Sequence, residues 1–389
     1  MNSLDWIKVS IANTFGNGID KRSFEQKVQW VDNQEDIISL VPSADEPYRF
    51  QRGIFELRKA MATGKTAYPI GLDAGASGIQ VLSALTGCIT GAVNTGLGAE
   101  EPKDIYLINY DQMKQMATVP NTITRKNLKK ALMTTFYGSY AVPKRVFQDY
   151  PHLLPIFYKA CSITAPGAFG LYQILMGIMG DTPTQEEYRW TLPNGFVVST
   201  WALDKTSHEV EIQEFHNKKV NVIRKHVRRT ERYRALAANV AHSIDGFVAA
   251  ELRGRAMWDR DQLDRIEASL LNQEVCADWN ASQDCMSIYK VKQLDTLKYS
   301  QKCKLLSLIQ KVKVTPQYDM FTVHDEFFQH PNFCNVTKAM YQEVLAEIAE
   351  SNLIDSILSD ILGEPSHLEP INNRKQCAAI IRNGKYGIA

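Results

Sequence analysis

Apolar positions change period along the chain, and each change marks an element. Residues 1–66 are mixed in character and mostly helix-like. Between Phe50 and Thr63, apolar residues at 54, 55, 57, 60 and 61 share one helical face, which Gly64 closes. The short apolar run Tyr68 to Leu72 then predicts a strand ending in Asp73. Small residues follow, and residues 78–93 read as an apolar, Gly-spotted helix. A loop spans Asn94 to Pro102, and an amphipathic helix is expected over Asp104 to Gln115. Pro120 to Ser139 predicts a helix capped by Thr122 or Thr124 and ended by Gly138.

Beyond it the pattern is less uniform. Pro151 to Gly180 is apolar without a clear period. Trp190 to Val198 places two β-prone runs around Pro-Asn-Gly, a hairpin signal. Residues 218–234 hold Lys218, Lys219, Arg224, Lys225, Arg228, Arg229, Arg232 and Arg234 against one Glu, and read as a solvated helix or a phosphate-lining segment. Residues 255–315 are charged and helical in character. Phe321 to Glu326 predicts a strand running into a turn, and Thr337 to Leu362 an amphipathic helix or helix pair.

Composition narrows the function classes. Lys and Arg number 44 against 43 Asp and Glu, so nucleic-acid binding would have to come from local patches rather than net charge. The seven cysteines form no CxxC pair and read as reduced thiols in a cytosolic setting. No apolar run approaches membrane-spanning length and no signal peptide is evident, so no membrane partner is expected.

Candidate chemistry comes from three stretches. Asp73 and Asp325 are carboxylates at predicted strand ends, 252 residues apart. Hard divalent cations prefer such oxygens, and phosphoryl transfer from a nucleoside triphosphate uses two ions about 3.5–4 Å apart. Each Asp alone reads first as a turn cap, since Asp is common at strand ends. Arg125 and Lys129 lie one helical turn apart, with Tyr137 a little over two turns further on. That is a place for a triphosphate beside an aromatic ring, or simply a solvated basic face. The third stretch, Asn239 to Gly246, contains His242, which alone reads as a structural hydrogen-bonder.

Taken together these stretches resemble the single-subunit, phage- and mitochondrial-type DNA-directed RNA polymerases. Asp73-x-x-x-Ser-Gly-Ile-Gln resembles the family's first catalytic motif, and Arg125-x-x-x-Lys129-x7-Tyr137-Gly138 its second. His324-Asp325 resembles the third. Trp190-Thr-x-Pro-Asn-Gly-Phe and Val240-Ala-His242-Ser-x-Asp-Gly resemble two minor ones. The five matches keep the family's order over residues 67–330.

The resemblance implies a mixed α/β right-hand polymerase, with an antiparallel palm sheet and mostly helical fingers. Residues 1–66 would be a helical, partner-docking segment, and 67–118 palm. Residues 119–238 would be fingers, and 239–389 the palm continuation with an insertion at 255–315. Asp73, the Ala74 carbonyl and Asp325 would hold two Mg²⁺ ions. Arg125 and Lys129 would face the triphosphate, and Tyr137, Gly138 and His242 the nucleotide and its ribose. His324 would lie near the primer end, and Lys218, Lys219, Arg224, Lys225, Arg228 and Arg229 against DNA. DNA template, RNA product and NTPs are the implied partners.

Departures from the pattern carry information as well. His324-Asp325-Glu326 reads as in the related bacterial-type DNA polymerases, which raises that activity, or a non-catalytic nucleic-acid-binding subunit, as alternatives. Those DNA polymerases carry a Glu five residues after the first Asp to block a 2′-hydroxyl, where this chain has Gly78. Only 72 residues precede Asp73, and no Asp-x-x-Gly-Arg motif is among them. The resemblance is therefore to the larger, C-terminal subunit of the split, two-subunit RNA polymerase of Enquatrovirus-type phages. It implies a second subunit supplying the N-terminal domain and that motif, in the cytoplasm of an infected bacterial host.

Overall fold

The computed structural model describes residues 1–178, 185–201, 203–215, 217–227 and 235–389. Three helices come first: α1 (Ser3–Phe15), α2 (Phe24–Asp32) and α3 (Pro47–Thr63). Asn2 and Ser23 start α1 and α2 with reciprocal capping boxes, and Gly64, with φ of 68°, ends α3 as the sequence predicts. Strand β1 (Ile70–Asp73) leads into α4 (Ser77–Leu85) and α5 (Ile89–Asn94), so the expected single helix over 78–93 is broken at Gly87-Cys88. Then come α6 (Ile105–Met116), α7 (Arg125–Phe136) and α8 (Ala141–Val146). Thr124 caps α7 with Asn127, and Gly138, at φ of 81°, turns the chain away after it.

The apolar stretch without a clear period folds as α9 (Leu153–Thr164) and α10 (Pro166–Ile178). Both are apolar nearly all round because both are packed into the core. No single described helix is long and apolar enough to cross a membrane, and this pair is bent by 119° at its break.

Two hairpins follow. β2 (Glu187–Thr191) pairs with β3 (Val197–Trp201), and Trp190, buried, donates its indole N–H to Ser243 at 3.2 Å. β4 (Leu203–Ile212) and β5 (Lys218–Val227) form a longer antiparallel hairpin that pairs with no other described strand. The helical alternative for 218–234 is thus corrected over 218–227. Its alternating Val220, Val222 and Arg224 pair with Val210, His208 and Thr206, a partner run that a single-segment reading does not consider. Arg228 and Arg229, and the side chain of Lys225, lie outside the described residues.

The long helix α11 (Ala235–Met257) crosses the molecule and is followed by α12 (Arg260–Asn272) and α13 (Tyr299–Lys313). Between α12 and α13 the chain is irregular with short 3₁₀ turns, not helical throughout as its composition suggests. This region packs a core of its own around Leu263, Leu270, Ile288, Leu305 and Ile309. Strands β6 (Met320–Val323) and β7 (Glu326–Gln329) precede α14 (Cys334–Glu350), α15 (Leu353–Leu362) and α16 (Arg374–Asn383).

Three strands form the central antiparallel sheet in the order β1-β7-β6. Ile70, Leu72, Met320 and Phe327 are buried on one face, as period-2 alternation requires. The other face carries Asp73, Glu326, Phe321 and Phe328. Phe321 and Phe328 stack across the strands with centroids 4.7 Å apart.

Beneath the sheet a buried ion network fixes α11 to α14. Arg255 donates to Glu251 at 3.0 Å and, in a fork, to Glu347. Glu251 also accepts from the Ser287 hydroxyl (2.7 Å) and the Ile288 amide (2.8 Å), which ties in the 255–315 region. The two carboxylates raise the guanidinium pKa and keep Arg255 charged despite burial. Removing one member leaves buried charge uncompensated. Arg255→Ala is therefore expected to cost about 3–5 kcal/mol in urea unfolding. A loss below about 1 kcal/mol would show that the network does not hold these helices together.

Candidate active site

Strand register assembles the site. β6 and β7 are joined by the two-residue turn His324-Asp325, and Asp73 at the end of β1 lies directly opposite Glu326. The Ala74 amide donates to the Asp325 carbonyl at 3.3 Å, so the ends of β1 and of the hairpin are stitched together. Two carboxylates distant in sequence thereby flank one cavity. His324 occupies the left-handed region, φ 54°, at the first turn position, which is sterically unfavourable for a residue with a Cβ. On its other edge β1 meets the chain's tail, with the Ala389 amide donating to the Asp73 carbonyl at 3.0 Å.

The cavity, about 210 Å³, is lined by Asp73, Asp325, Lys129, Tyr106, Tyr137 and Gly78, among others. A second, about 390 Å³, opens on the opposite side of the carboxylates and contains His324, Glu326, Arg49 and Lys21. A larger cavity, about 540 Å³, lies apart between α13, α14 and α16. Its basic residues Lys311 and Arg382 are already paired with Glu343, and Arg255 with Glu347, so it offers little uncommitted charge.

Electrostatics single out Asp73. Burial, then the neighbouring carboxylates of Asp325 and Glu326, push its carboxyl up to about 7, against the pull of Lys129. Glu326 itself is drawn toward Arg49, which donates to it at 2.8 Å and lies over the Phe328 ring. Gly71 permits this, because a Cβ there would collide with the Glu326 carboxylate. Among the described residues no cluster of three or more His, Cys, Asp or Glu has metal-binding geometry. A divalent cation here would rest on Asp73, Asp325 and the Ala74 carbonyl, with further oxygens from a substrate. The donor set fits: two hard carboxylates forced together are the arrangement that such a cation relieves.

Of the paired cations, Lys129 lines the cavity and Arg125 does not. Arg125 is held by Asp104, Nε to Oδ2 at 2.6 Å, while Asp104 also caps α6. The Tyr106 ring lies under both cations at 5.5 Å, and its hydroxyl donates to the Gly75 carbonyl at 3.2 Å, ordering the loop after Asp73. Tyr137 ends α7, and its ring stacks on His242 from α11, with centroids 4.5 Å apart. Burial lowers the pKa of His242. Gly138 follows Tyr137 as the α7 terminus. The space left by Gly78 is filled by Tyr137 itself, since a Cβ at 78 would lie 2.6 Å from the phenol oxygen. Lys218, Lys219 and Arg224 lie on the β4–β5 hairpin, where Lys219 pairs with Glu209 at 2.6 Å.

Sequence reasoning assigned no role to Asp245, one helical turn beyond His242. Burial and then Asp325 push its carboxyl up to about 7, and it is hydrogen-bonded to Ser77 and Tyr137. The i, i+3 spacing from His242 was a usable signal. Tyr106 was missed as well, although Asp104 and Tyr106 flank a helix start.

Residues 1–146, which contain Asp73, Lys129 and Tyr137, match the family described as DNA-dependent RNA polymerase. The chain is similar to DNA-directed RNA polymerases. It is 26% identical to DNA-directed RNA polymerase 1, mitochondrial, of Nicotiana sylvestris, over 63% of this chain and 30% of that protein. It is 25% identical to DNA-directed RNA polymerase 2, chloroplastic/mitochondrial, of the same plant, over 63% of this chain and 29% of the relative. The mitochondrial enzyme of Schizosaccharomyces pombe is 27% identical over 35% of this chain and 14% of its own length. The chain thus matches less than a third of these polymerases. Asp325 lies outside the family-matched segment, and its place beside Asp73 comes from the sheet.

The raised Asp73 carboxyl has a consequence for stability. An unfolded aspartate loses its proton near 3.8, whereas the folded one keeps it to about 7. The folded state binds more protons in that window, so its stability falls as pH rises from about 4 to about 7. In EDTA, Asp73→Asn is expected to melt at the same temperature as the parent below pH 4 and several degrees higher at pH 8. Parallel melting profiles across this range would contradict the assignment.

Proposed function

We propose that this chain is the catalytic palm-and-fingers part of a DNA-templated RNA polymerase, joining NTPs by two-metal nucleotidyl transfer. One observation carries the reading: the β1-β7-β6 register sets Asp73 and Asp325 on one cavity with Lys129 and Tyr137. Mg²⁺ held by Asp73, Asp325 and the Ala74 carbonyl would supply Lewis-acid stabilisation of phosphoryl oxygens. The chain's own groups do the rest. Lys129 places an ammonium opposite Asp73, where it offsets triphosphate charge and is positioned to give a proton to departing pyrophosphate. Tyr137, backed by the stacked His242 ring, offers a flat wall for base and sugar. His324, on the side of the larger cavity, faces the position of a primer end. Arg125 acts indirectly, by holding Asp104 and α6 so that Tyr106 orders the Gly75 loop.

The β4–β5 hairpin, with Lys218, Lys219 and Arg224 on an arm that stands apart from the other sheets, is the proposed contact with template DNA. The enzyme we propose is the larger subunit of a two-subunit phage polymerase, working in the infected cell. Its segment 1–66 would dock the second chain, and α3 exposes Tyr48, Phe55 and Met61 there. His324-Asp325-Glu326 favours DNA synthesis as the second reading. Against it, Glu326 is engaged by Arg49 and position 78 lacks a blocking side chain.

Asp73→Ala and Asp325→Ala are each expected to lower Mg²⁺-dependent RNA synthesis by about 10³-fold or more, with circular dichroism unchanged. Full activity in either variant would sink the proposal. Replacing Lys218, Lys219 and Arg224 by Gln should flatten the salt dependence of DNA binding, with the log–log slope falling by about 0.9 for each phosphate that is no longer neutralised. An unchanged slope would remove the hairpin from the DNA interface.

A further inference from the structure

Tyr137 is held from more directions than an aromatic wall requires. Its ring face rests on His242. Its hydroxyl lies over the backbone of Gly78, with no room for a Cβ between them. The same hydroxyl is hydrogen-bonded to Ser77 and Asp245. Ser77 in turn donates to Asp245 Oδ2 at 3.4 Å. His242 and Asp245 project from one face of α11, and Ser77 and Gly78 open α4. The tip of the ring is therefore clamped between two helices, of which α4 lines the Asp73–Asp325 cavity.

We propose that Asp245 is a positioning residue for sugar recognition: its carboxylate fixes the direction of the Tyr137 hydroxyl, so that the phenol oxygen presents a lone pair to the cavity. The inference rests on the polymerase reading of this site. An ionised carboxylate only accepts hydrogen bonds. Facing two hydroxyls, it takes the Tyr137 proton and shares the Ser77 proton with the phenol oxygen, which keeps its second lone pair. The Tyr137 oxygen is then left as an acceptor, and a ribose 2′-hydroxyl can donate to it. A 2′-deoxyribose has no proton to offer and leaves that lone pair without a partner, a mismatch that favours ribose. With Gly78 in place the selection works by a bond to be made, not by a clash.

An amide at 245 keeps the shape and adds a donor. Asp245→Asn can donate to the Tyr137 oxygen, which turns the phenol proton toward the cavity and cancels its preference for a 2′-hydroxyl. The test measures binding of ATP and 2′-dATP at pH 8 to the full chain, with any co-isolated subunit retained, on a primer–template ending in a 3′-deoxynucleotide. Asp245→Asn is expected to cut the ATP/dATP affinity ratio about tenfold, mostly through weaker ATP binding. Ser77→Ala should shift it in the same direction by less. In a Tyr137→Phe background Asp245→Asn should add no further change, because the group it positions is gone. Ratios equal to the parent's, or equal losses for both nucleotides, would overturn the inference while leaving the polymerase reading intact. A parent chain that binds neither nucleotide and makes no RNA would overturn that reading, and this inference with it.

Discussion

The proposed catalytic site depends on one antiparallel register. β7 lies between β1 and β6, and its pairing puts Asp73 opposite Glu326 and stitches Ala74 to Asp325. A one-residue slip would turn Asp73 to the buried face and Leu72 to solvent. The register is held from both sides. Ile70, Leu72 and Phe327 anchor the apolar face, and the Phe321–Phe328 stack with Arg49 holds the open one. The resulting carboxylate crowding is unfavourable by itself, as the raised Asp73 carboxyl shows. In the proposed function, a divalent cation beside the open cavity would relieve that crowding.

Around that pair the structure distributes charge sparingly. Glu326 is drawn off by Arg49 and Arg125 by Asp104, which leaves Lys129 as the cation that lines the smaller cavity. The aromatic residues are tethered in a similar way: Tyr106 to the Gly75 carbonyl, and Tyr137 to α11 and α4. The 255–315 region, with its own core, is joined to this frame through Glu251 and the buried Arg255 network, at a distance from the cavity.

Much of this was legible in the sequence where the signal is short-range. The strand into Asp73, the α7 caps at Thr124 and Gly138, and the Pro-Asn-Gly hairpin follow from local rules. The adjacency of Asp73 and Asp325 was legible only through motif order, since strand pairing across 252 residues leaves no local trace. The clamp by Asp245 was hidden because it arises from the packing of α11 on α4. The capture of Arg125 was hidden for the same reason, since Asp104 meets it only when α6 packs beside α7. The basic run at 218–227 misled because charge composition does not report strand pairing, whereas the facing run 203–212 does. The role of Gly78 also changed. The sequence made it room for a ribose hydroxyl, and the structure fills that room with the Tyr137 phenol.

The central claim is that Asp73 and Asp325 act as one divalent-cation site. Electron paramagnetic resonance of Mn²⁺ titrated into the chain, with parent, Asp73→Asn and Asp325→Asn compared, addresses it directly. The account predicts a bound-Mn²⁺ signal in the parent, displaced by excess Mg²⁺ and lost in both variants. Undiminished Mn²⁺ binding in either variant would contradict it.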